Sequence, residues 1–350
     1  MTRTLKIQYT NIFFPNNPNL IKKLIEMKNK ITNNAEWDNA KKMSNDYELI
    51  YQPNKKIRQT SIAKYHPISR SFFKLWEMIH DFDLIKSSNK YKILCLAEGP
   101  GGFIEAILKF RKDIKDDIWG ITLKSSNKDV PDWKKSYKFL KNNKINLSYG
   151  RDNTGNLYNL DNIIYLKYQI KDKVDFITGD GGFDFSSNFN NQEQSSYRII
   201  YAQIVSALTM QKIGGDFVVK IFDINTENTI KMIYLLYHYY DEIYITKPLT
   251  SRPANSEKYI VCKSFNGIED HMLALFQNRL TTWDESFISF VTLPKWFIKL
   301  VTNYNQTFIQ NQIENIDKTL KIINNKFIHK KNQQLENAIK WCKKYNVEII

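Results

Sequence analysis

Tyr91-Lys92-Ile93-Leu94-Cys95-Leu96-Ala97-Glu98-Gly99-Pro100-Gly101-Gly102-Phe103-Ile104 is the stretch on which the fold turns. Its first seven residues make a short apolar run that reads as a buried strand. The glycine cluster breaks that run, and Phe103, Ile104, Ile107 and Leu108 then recur at helical spacing. The pattern repeats downstream. Residues 117–123, 174–178, 216–222, 242–246 and 258–263 read as further strands. Residues 197–212 and 229–240 read as helices, with Gly214-Gly215 expected to end the first of these. Short apolar strands alternating with helices imply an α/β sandwich, a mainly parallel sheet covered on both faces.

Outside this block the sequence changes character. The first fifty residues are rich in Asn and Lys, with one helix-like run from Leu20 to Met27. Residues 69–82 carry an amphipathic helix through Phe72, Phe73, Leu75, Trp76 and Ile79. The last 85 residues return to helical spacing, from Trp283 to Ile288 and again after a break at Pro294. The expected organisation is a basic extension at 1–60, a central domain at 61–265 and a helical extension at 266–350.

Apolar residues make up 42% of the chain, enough for a substantial core, which rules out wholesale disorder. The three cysteines, Cys95, Cys262 and Cys342, are too few and too scattered for a disulfide framework or a cysteine-rich zinc site. The start of the chain lacks the apolar run of a signal peptide, and no stretch is long and apolar enough to span a bilayer. The expectation is a soluble, intracellular protein that does not contact membranes, with nucleus and cytoplasmic viral factory both open.

Lys and Arg number 51 against 36 Asp and Glu, a net charge of +15. Residues 1–92 hold 17 basic and 8 acidic side chains, and so most of the surplus. From Ile50 to Trp76 there is no acid, while Lys55, Lys56, Arg58, Lys64, Arg70 and Lys74 alternate with Tyr51, Tyr65, His66, Phe72 and Phe73. Cations for phosphates and flat rings for bases suit a single-stranded nucleic-acid groove. A solvated basic face is the plainer alternative.

In a doubly wound sheet, ligands bind beyond the carboxyl ends of the strands. The first strand of the central block delivers Ala97–Phe103 to that edge, where glycines permit a tight turn and close approach to a ligand. Neither a GxGxxG nor a GKS/T pattern is present, and Pro100 removes one N–H donor. A nucleoside-type cofactor carrying a carboxylate fits better than a phosphate. Two further residues stand out. Lys220 lies inside the apolar run Phe217-Val218-Val219-Lys220-Ile221-Phe222, and Asp180 follows a buried strand within Gly179-Asp180-Gly181-Gly182. A lysine in such surroundings is costly unless paired or functional.

Lys74, Asp180, Lys220 and Glu257 together resemble the Lys-Asp-Lys-Glu tetrad of the FtsJ-like ribose 2′-O-methyltransferases. Ala97–Phe103 resembles that family's S-adenosylmethionine loop. Gly120-Ile121-Thr122-Leu123-Lys124, Gly179–Phe183 and the Lys247–Tyr259 segment are most similar to the mRNA cap-1 methyltransferases of eukaryotes and large DNA viruses. The resemblance covers roughly residues 60–265.

The resemblance implies a Rossmann-like, seven-stranded methyltransferase sandwich with helical extensions at both ends. It implies S-adenosylmethionine as methyl donor, S-adenosylhomocysteine as product, and no metal. The tetrad would be catalytic, with Lys220 as general base, made one by burial and by the cation of Lys74. Asp180 would orient it. Ser69, Ala97, Glu98, Gly99, Pro100, Gly101, Gly102, Phe103, Asn156 or the nearby Asp152, and Asp180 would bind the cofactor. Arg70, Lys124, Arg252 and Asn255 would face RNA, with residues 188–192 as a lip of the same groove. The implied substrate is the capped 5′ end of mRNA, methylated at the first transcribed nucleotide, with other capping or transcription proteins as partners. Methylation of another RNA ribose, or a non-catalytic RNA-binding subunit, are the rival readings.

Overall fold

The structure is a computed structural model that describes residues 4–7, 19–52, 61–112, 114–127, 130–182, 189–284, 286–324 and 331–350. In chain order the first elements are β1 (Thr4–Ile7), α1 (Leu20–Asn29), α2 (Asn34–Ser44), a single 3-10 turn (Glu48–Ile50) and α3 (Ser71–Asp81). The central block follows with β2 (Lys92–Leu96), α4 (Gly102–Phe110), β3 (Asp117–Ile121), α5 (Tyr137–Asn142), β4 (Asn146–Ser148), α6 (Leu160–Ile170) and β5 (Val174–Gly179). Next come α7 (Gln192–Met210), β6 (Gln211–Ile221), α8 (Glu227–Tyr239), β7 (Tyr240–Thr246) and β8 (Lys258–Phe265). The chain closes with α9 (Asp270–Thr281), α10 (Lys295–Ile323) and α11 (Lys331–Lys344).

The strands form one sheet in the order β1-β7-β8-β6-β5-β2-β3-β4. Every pairing is parallel except those of β8, which runs antiparallel to both β6 and β7. The seven strands β2 to β8 make the expected α/β sheet, and β1 from the N-terminal extension adds an eighth at the β7 edge.

Period-2 alternation splits each strand between two cores. Leu94 and Leu96 point to the layer built by α6, α7, α8 and α9, where Leu166, Ile204, Leu236 and Phe276 are buried. Ile93 and Cys95 point to the opposite layer, with Phe73 and Ile79 of α3, Ile104 of α4 and Trp341 of α11. Both faces are covered, so the strands read as nearly continuous apolar runs.

Several expectations needed correction. Gly214 and Gly215 do not end a helix: α7 stops at Met210, and the pair lies within β6. The β5–β6 register shifts at Val174/Phe176, and Gly214 takes a φ of 79°, so the glycines permit a bulge. The three elements α5, β4 and α6 went unassigned in the sequence, where the shortest spans only three residues. Residues 286–290 form turns, and Pro294 serves as the N-cap of α10, since its missing N–H costs nothing there.

The extensions pack on the central block. Leu24 of α1, Trp37 of α2, and Ile309 and Ile313 of α10 form a third apolar cluster that also buries Ala254. Among the described residues, no helix is long and apolar enough to cross a membrane.

Candidate active site

Strand register lines up the centre of the site. Leu96 pairs with Gly179, and Gly179 with Val219. The next residue on each strand, Ala97, Asp180 and Lys220, therefore follows in a row at the carboxyl edge of β2, β5 and β6. The fourth contributor arrives from the antiparallel strand: Tyr259 pairs with Lys220, which brings Glu257, just before β8, to the same edge.

Those residues meet as two ion pairs. Lys220 Nζ donates to the Asp180 carbonyl at 2.6 Å and lies 3.2 Å from Asp180 Oδ1. Lys74 Nζ on α3 lies 2.7 Å from Glu257 Oε1 and 2.9 Å from Oε2. Taken alone on its amphipathic helix Lys74 is unremarkable; the fold turns it onto Glu257. Burial opposes ionisation of Glu257, but Lys74, Lys220 and Lys247 outweigh it and hold the carboxyl at about 2. Ser251 Oγ donates to Glu257 Oε1 at 2.9 Å, and Tyr259 Oη donates to Asp180 Oδ1 at 3.0 Å.

Lys247 was not singled out, although it opens the 247–259 segment. Its ammonium donates to the carbonyls of Asn255 and Glu257 and to Asn255 Oδ1, at 2.7–2.8 Å. Burial, then Lys258, pushes its pKa well down.

Asp180, Lys220 and Glu257 open onto a cleft of about 750 Å³, a volume suited to a nucleoside-sized ligand beside a second nucleotide. Ser69, Arg70, Ala97, Gly99, Pro100, Asn156 and Asn255 line it too. The sequence reading did not assign Thr122, Leu123, Leu157, Tyr158 or Phe222 to the site, and they add its walls. The ends of β3 and β6 could have flagged Thr122 and Phe222, because both follow strands that finish at the ligand edge.

The glycine loop is a cradle that side chains would fill. A Cβ on Gly102 would sit 2.2 Å from both Ser69 Oγ and Ser71 Oγ, and one on Gly99 would meet the Pro131 carbonyl at 2.5 Å. Gly101 takes a φ of 112°, the left-handed region that glycine enters without strain. The cleft's shape, its glycine floor and the carboxamide of Asn156 suit a nucleoside-type cofactor.

Other expected contacts lie elsewhere. The Glu98 side chain turns beneath the loop, where it accepts from Phe103 N at 2.9 Å and Ile104 N at 3.3 Å and so caps α4. Burial, then the charge of Asp180, pushes its pKa well up. Gly101, Gly102 and Phe103 shape the loop without lining the cleft. Asp152 is committed to its own turn, accepting from Thr154 and Asn159, and it is Asn156 that reaches the cleft.

The two arginines expected to face RNA also pair within the fold, and Arg70 does so while lining the cleft. Arg252 donates to both oxygens of the buried Glu48 at 2.8 and 3.0 Å. Arg70 donates to the carbonyls of Tyr51 at 2.7 Å and Thr250 at 3.0 Å, and lies 3.6 Å from Glu48. Arg252 lines a smaller cavity instead. Lys124 is exposed, its Nζ 5.3 Å above the Tyr149 ring.

Among the described residues of the 50–76 segment, the rings and cations are largely taken up by the fold. Tyr51, Phe72 and Phe73 are core residues, and Lys64 and Lys74 each pair with an acid from elsewhere in the chain. Lys55, Lys56 and Arg58 lie outside the described residues, as does Asn188 of the expected 188–192 lip, whose Gln192 lines the cleft. Among the described residues, no group of three or more His, Cys, Asp or Glu could hold a metal ion.

A strand-ended cleft with a glycine loop and a cluster of paired charges lies where doubly wound α/β sheets bind their ligands. The family model for FtsJ-like methyltransferase matches residues 67–265, over half of the chain, and the chain belongs to that family. It is 32% identical over 224 residues to cap-specific mRNA (nucleoside-2′-O-)-methyltransferase 1 of Trypanosoma cruzi, covering 61% of each chain. Identity to the Mus musculus protein of the same name is 36% over 188 residues, 51% of this chain and 22% of that one. Identity to the Xenopus laevis protein of that name is 29% over 337 residues, 86% of this chain and 38% of that one. The chain thus spans from about a fifth to three fifths of the length of these relatives.

Proposed function

We propose that this protein methylates the ribose 2′-hydroxyl of the first transcribed nucleotide of capped mRNA, with S-adenosylmethionine as donor. The observation that carries the proposal is the convergence of the Lys220–Asp180 and Lys74–Glu257 pairs on one cleft beside the glycine loop. The names of the curated relatives support the same chemistry.

S-adenosylmethionine, when bound, supplies an electrophilic methyl group on sulfur. Ser69, Ala97, Gly99, Pro100, Asn156 and Asp180 are the residues that would hold it. Lys220, as the neutral amine, would accept the proton of the ribose hydroxyl as the hydroxyl oxygen attacks, and Asp180 fixes that amine through its carboxylate and carbonyl. Lys74 and Glu257 hold the opposite wall of the hydroxyl's site. Alignment of donor and acceptor accounts for much of the acceleration, up to roughly 7–11 kcal/mol in well-oriented systems. Lys124 and Asn255 contact the RNA near its capped end.

The test is transfer of labelled methyl to a short capped RNA, its uncapped twin, and a capped RNA already 2′-O-methylated at its first nucleotide. Incorporation into the capped, unmethylated RNA alone is the expected result. Incorporation into the premethylated RNA as well would move the target to another ribose. RNA binding with no transfer would overturn the enzymatic reading.

A further inference from the structure

We infer that Glu77 is a positioning residue for the loop that carries Glu257, and that the C-terminal helix α11 helps to hold that loop through Trp341. The inference rests on the methyltransferase reading for its kinetic consequence but has a readout of its own.

Arg70, Lys74 and Glu77 stand four and three residues apart at the start of and along α3, so they form one stripe. All three reach the same loop, between β7 and β8. Lys74 takes its far end at Glu257. Glu77 takes its near end: Leu249 N donates to Oε1 at 2.6 Å, and Thr250 N and Oγ1 each donate to Oε2 at 3.2 Å. Arg70 binds the Thr250 carbonyl. One helix therefore grips the loop at both ends, and Ser251 and Asn255 hang between the grips.

Glu77 has a fourth donor from outside the region that the family model matches. Trp341 Nε1 on α11 lies 3.1 Å from Oε2. The indole is buried, edge-on to Phe73 and 4.7 Å from the Tyr345 ring, and Trp76 Nε1 returns a bond to the Tyr345 carbonyl. Glu77 itself is fully buried. An apolar side chain would fill that space without the desolvation cost of a carboxylate. What a carboxylate adds is direction: it ties two loop amides and a loop hydroxyl to an indole on the C-terminal extension. The docking of α11 and the placement of Glu257 and Asn255 are thereby coupled.

The experiment compares three variants of the full chain. Trp341→Phe keeps an aromatic ring and removes only the N–H donor. Glu77→Gln keeps the shape and turns an amide NH₂ toward the donors, and it serves if Trp341→Phe does not fold. Cys342→Ala, a buried neighbour on α11, loosens packing without touching Glu77. Hydrogen exchange of the 247–257 loop, S-adenosylmethionine affinity, and kcat and KM on capped RNA are measured for each.

Trp341→Phe is expected to speed exchange at Leu249 and Thr250. It should lower kcat/KM for RNA about tenfold or more and leave cofactor affinity unchanged, as displacing a remote positioning group does. Cys342→Ala should lower stability while the loop exchanges as in the wild type. Unchanged loop exchange in Trp341→Phe and Glu77→Gln, or an equal increase in Cys342→Ala, would overturn the inference. If the wild type methylated no RNA, the functional reading would fail while the exchange data still decided the role of Glu77.

Discussion

Lys74 Nζ lies 2.7 Å from Glu257 Oε1 although 183 positions separate the two residues in the chain. Their side chains are only 15% and 14% exposed, so the pair is shielded and each member depends on the other. Removing one leaves a charge in a partly desolvated site.

Lys74→Ala and Glu257→Ala are therefore each expected to lower methyl transfer by on the order of 10²- to 10⁴-fold, the range for groups that assist proton transfer. The double variant should be little worse than either single one, since the pair acts as a unit. Single-turnover rates across the four proteins measure this, and fully additive losses would show the pair to be two independent contributors.

Gly102→Ala tests the cradle. The new methyl would meet Ser69 Oγ and Ser71 Oγ at 2.2 Å and the Phe72 amide nitrogen at 3.0 Å, so the start of α3 must move. A cost of about 1–3 kcal/mol in stability is expected from such overpacking. Cofactor binding should weaken as well, because Ser69 lines the cleft. Calorimetric titration with S-adenosylhomocysteine and a melting curve read both, and a variant with wild-type affinity would remove Ser69 from the cofactor site.

Glu48 is buried between Arg70 and Arg252, and burial resists its ionisation, while Arg252 and Arg70 more than compensate and lower its pKa. Glu48→Gln should destabilise the fold by about 3–5 kcal/mol, the cost of stranding buried charge. Urea unfolding of variant and wild type gives the number. A loss below about 1 kcal/mol, the level of a surface pair, would mean that solvent reaches the arginines.

Glu77 gives the fold a pH dependence whose sign is fixed. Burial raises its pKa from 4.5 to about 7, against the pull of its bonds to Leu249, Trp341 and Thr250. The native state then binds a proton that the unfolded state has released. The group's contribution is greatest below pH 4.5 and is lost as pH rises to about 7, by on the order of 3 kcal/mol. Glu77→Gln lacks this titration, so the wild type should lose stability relative to the variant between pH 5 and pH 7.5. A difference constant over that interval would place the carboxyl in contact with water.

Lys124 is exposed at the end of β3, beyond the Ile121 that closes the strand. If it meets a phosphate, Lys124→Ala should weaken binding of all capped RNAs alike and reduce the slope of log K against log salt by about 0.7–1. Fluorescence anisotropy at several salt concentrations measures the slope, and an unchanged one would take Lys124 off the RNA path.

The sequence by itself determined the alternation of strand and helix, the glycine loop after β2, and which residue types stand at the strand ends. Apolar period and turn chemistry are local properties that one dimension records. The resemblance of Lys74, Asp180, Lys220 and Glu257 to a known tetrad was legible for the same reason: each sits in a short distinctive motif. Only the tertiary structure decided which charges face one another. Glu98 looks like a loop residue until its carboxylate is seen to cap α4. Nothing local in the sequence shows that Glu48, 22 and 204 positions away in the chain, binds Arg70 and Arg252. The aromatic rings of the basic segment look like a stacking platform until the sheet buries Phe72 and Phe73. Burial and pairing depend on strand register and on the docking of α3, α10 and α11, which sum over distant segments and leave no periodic trace in any one of them.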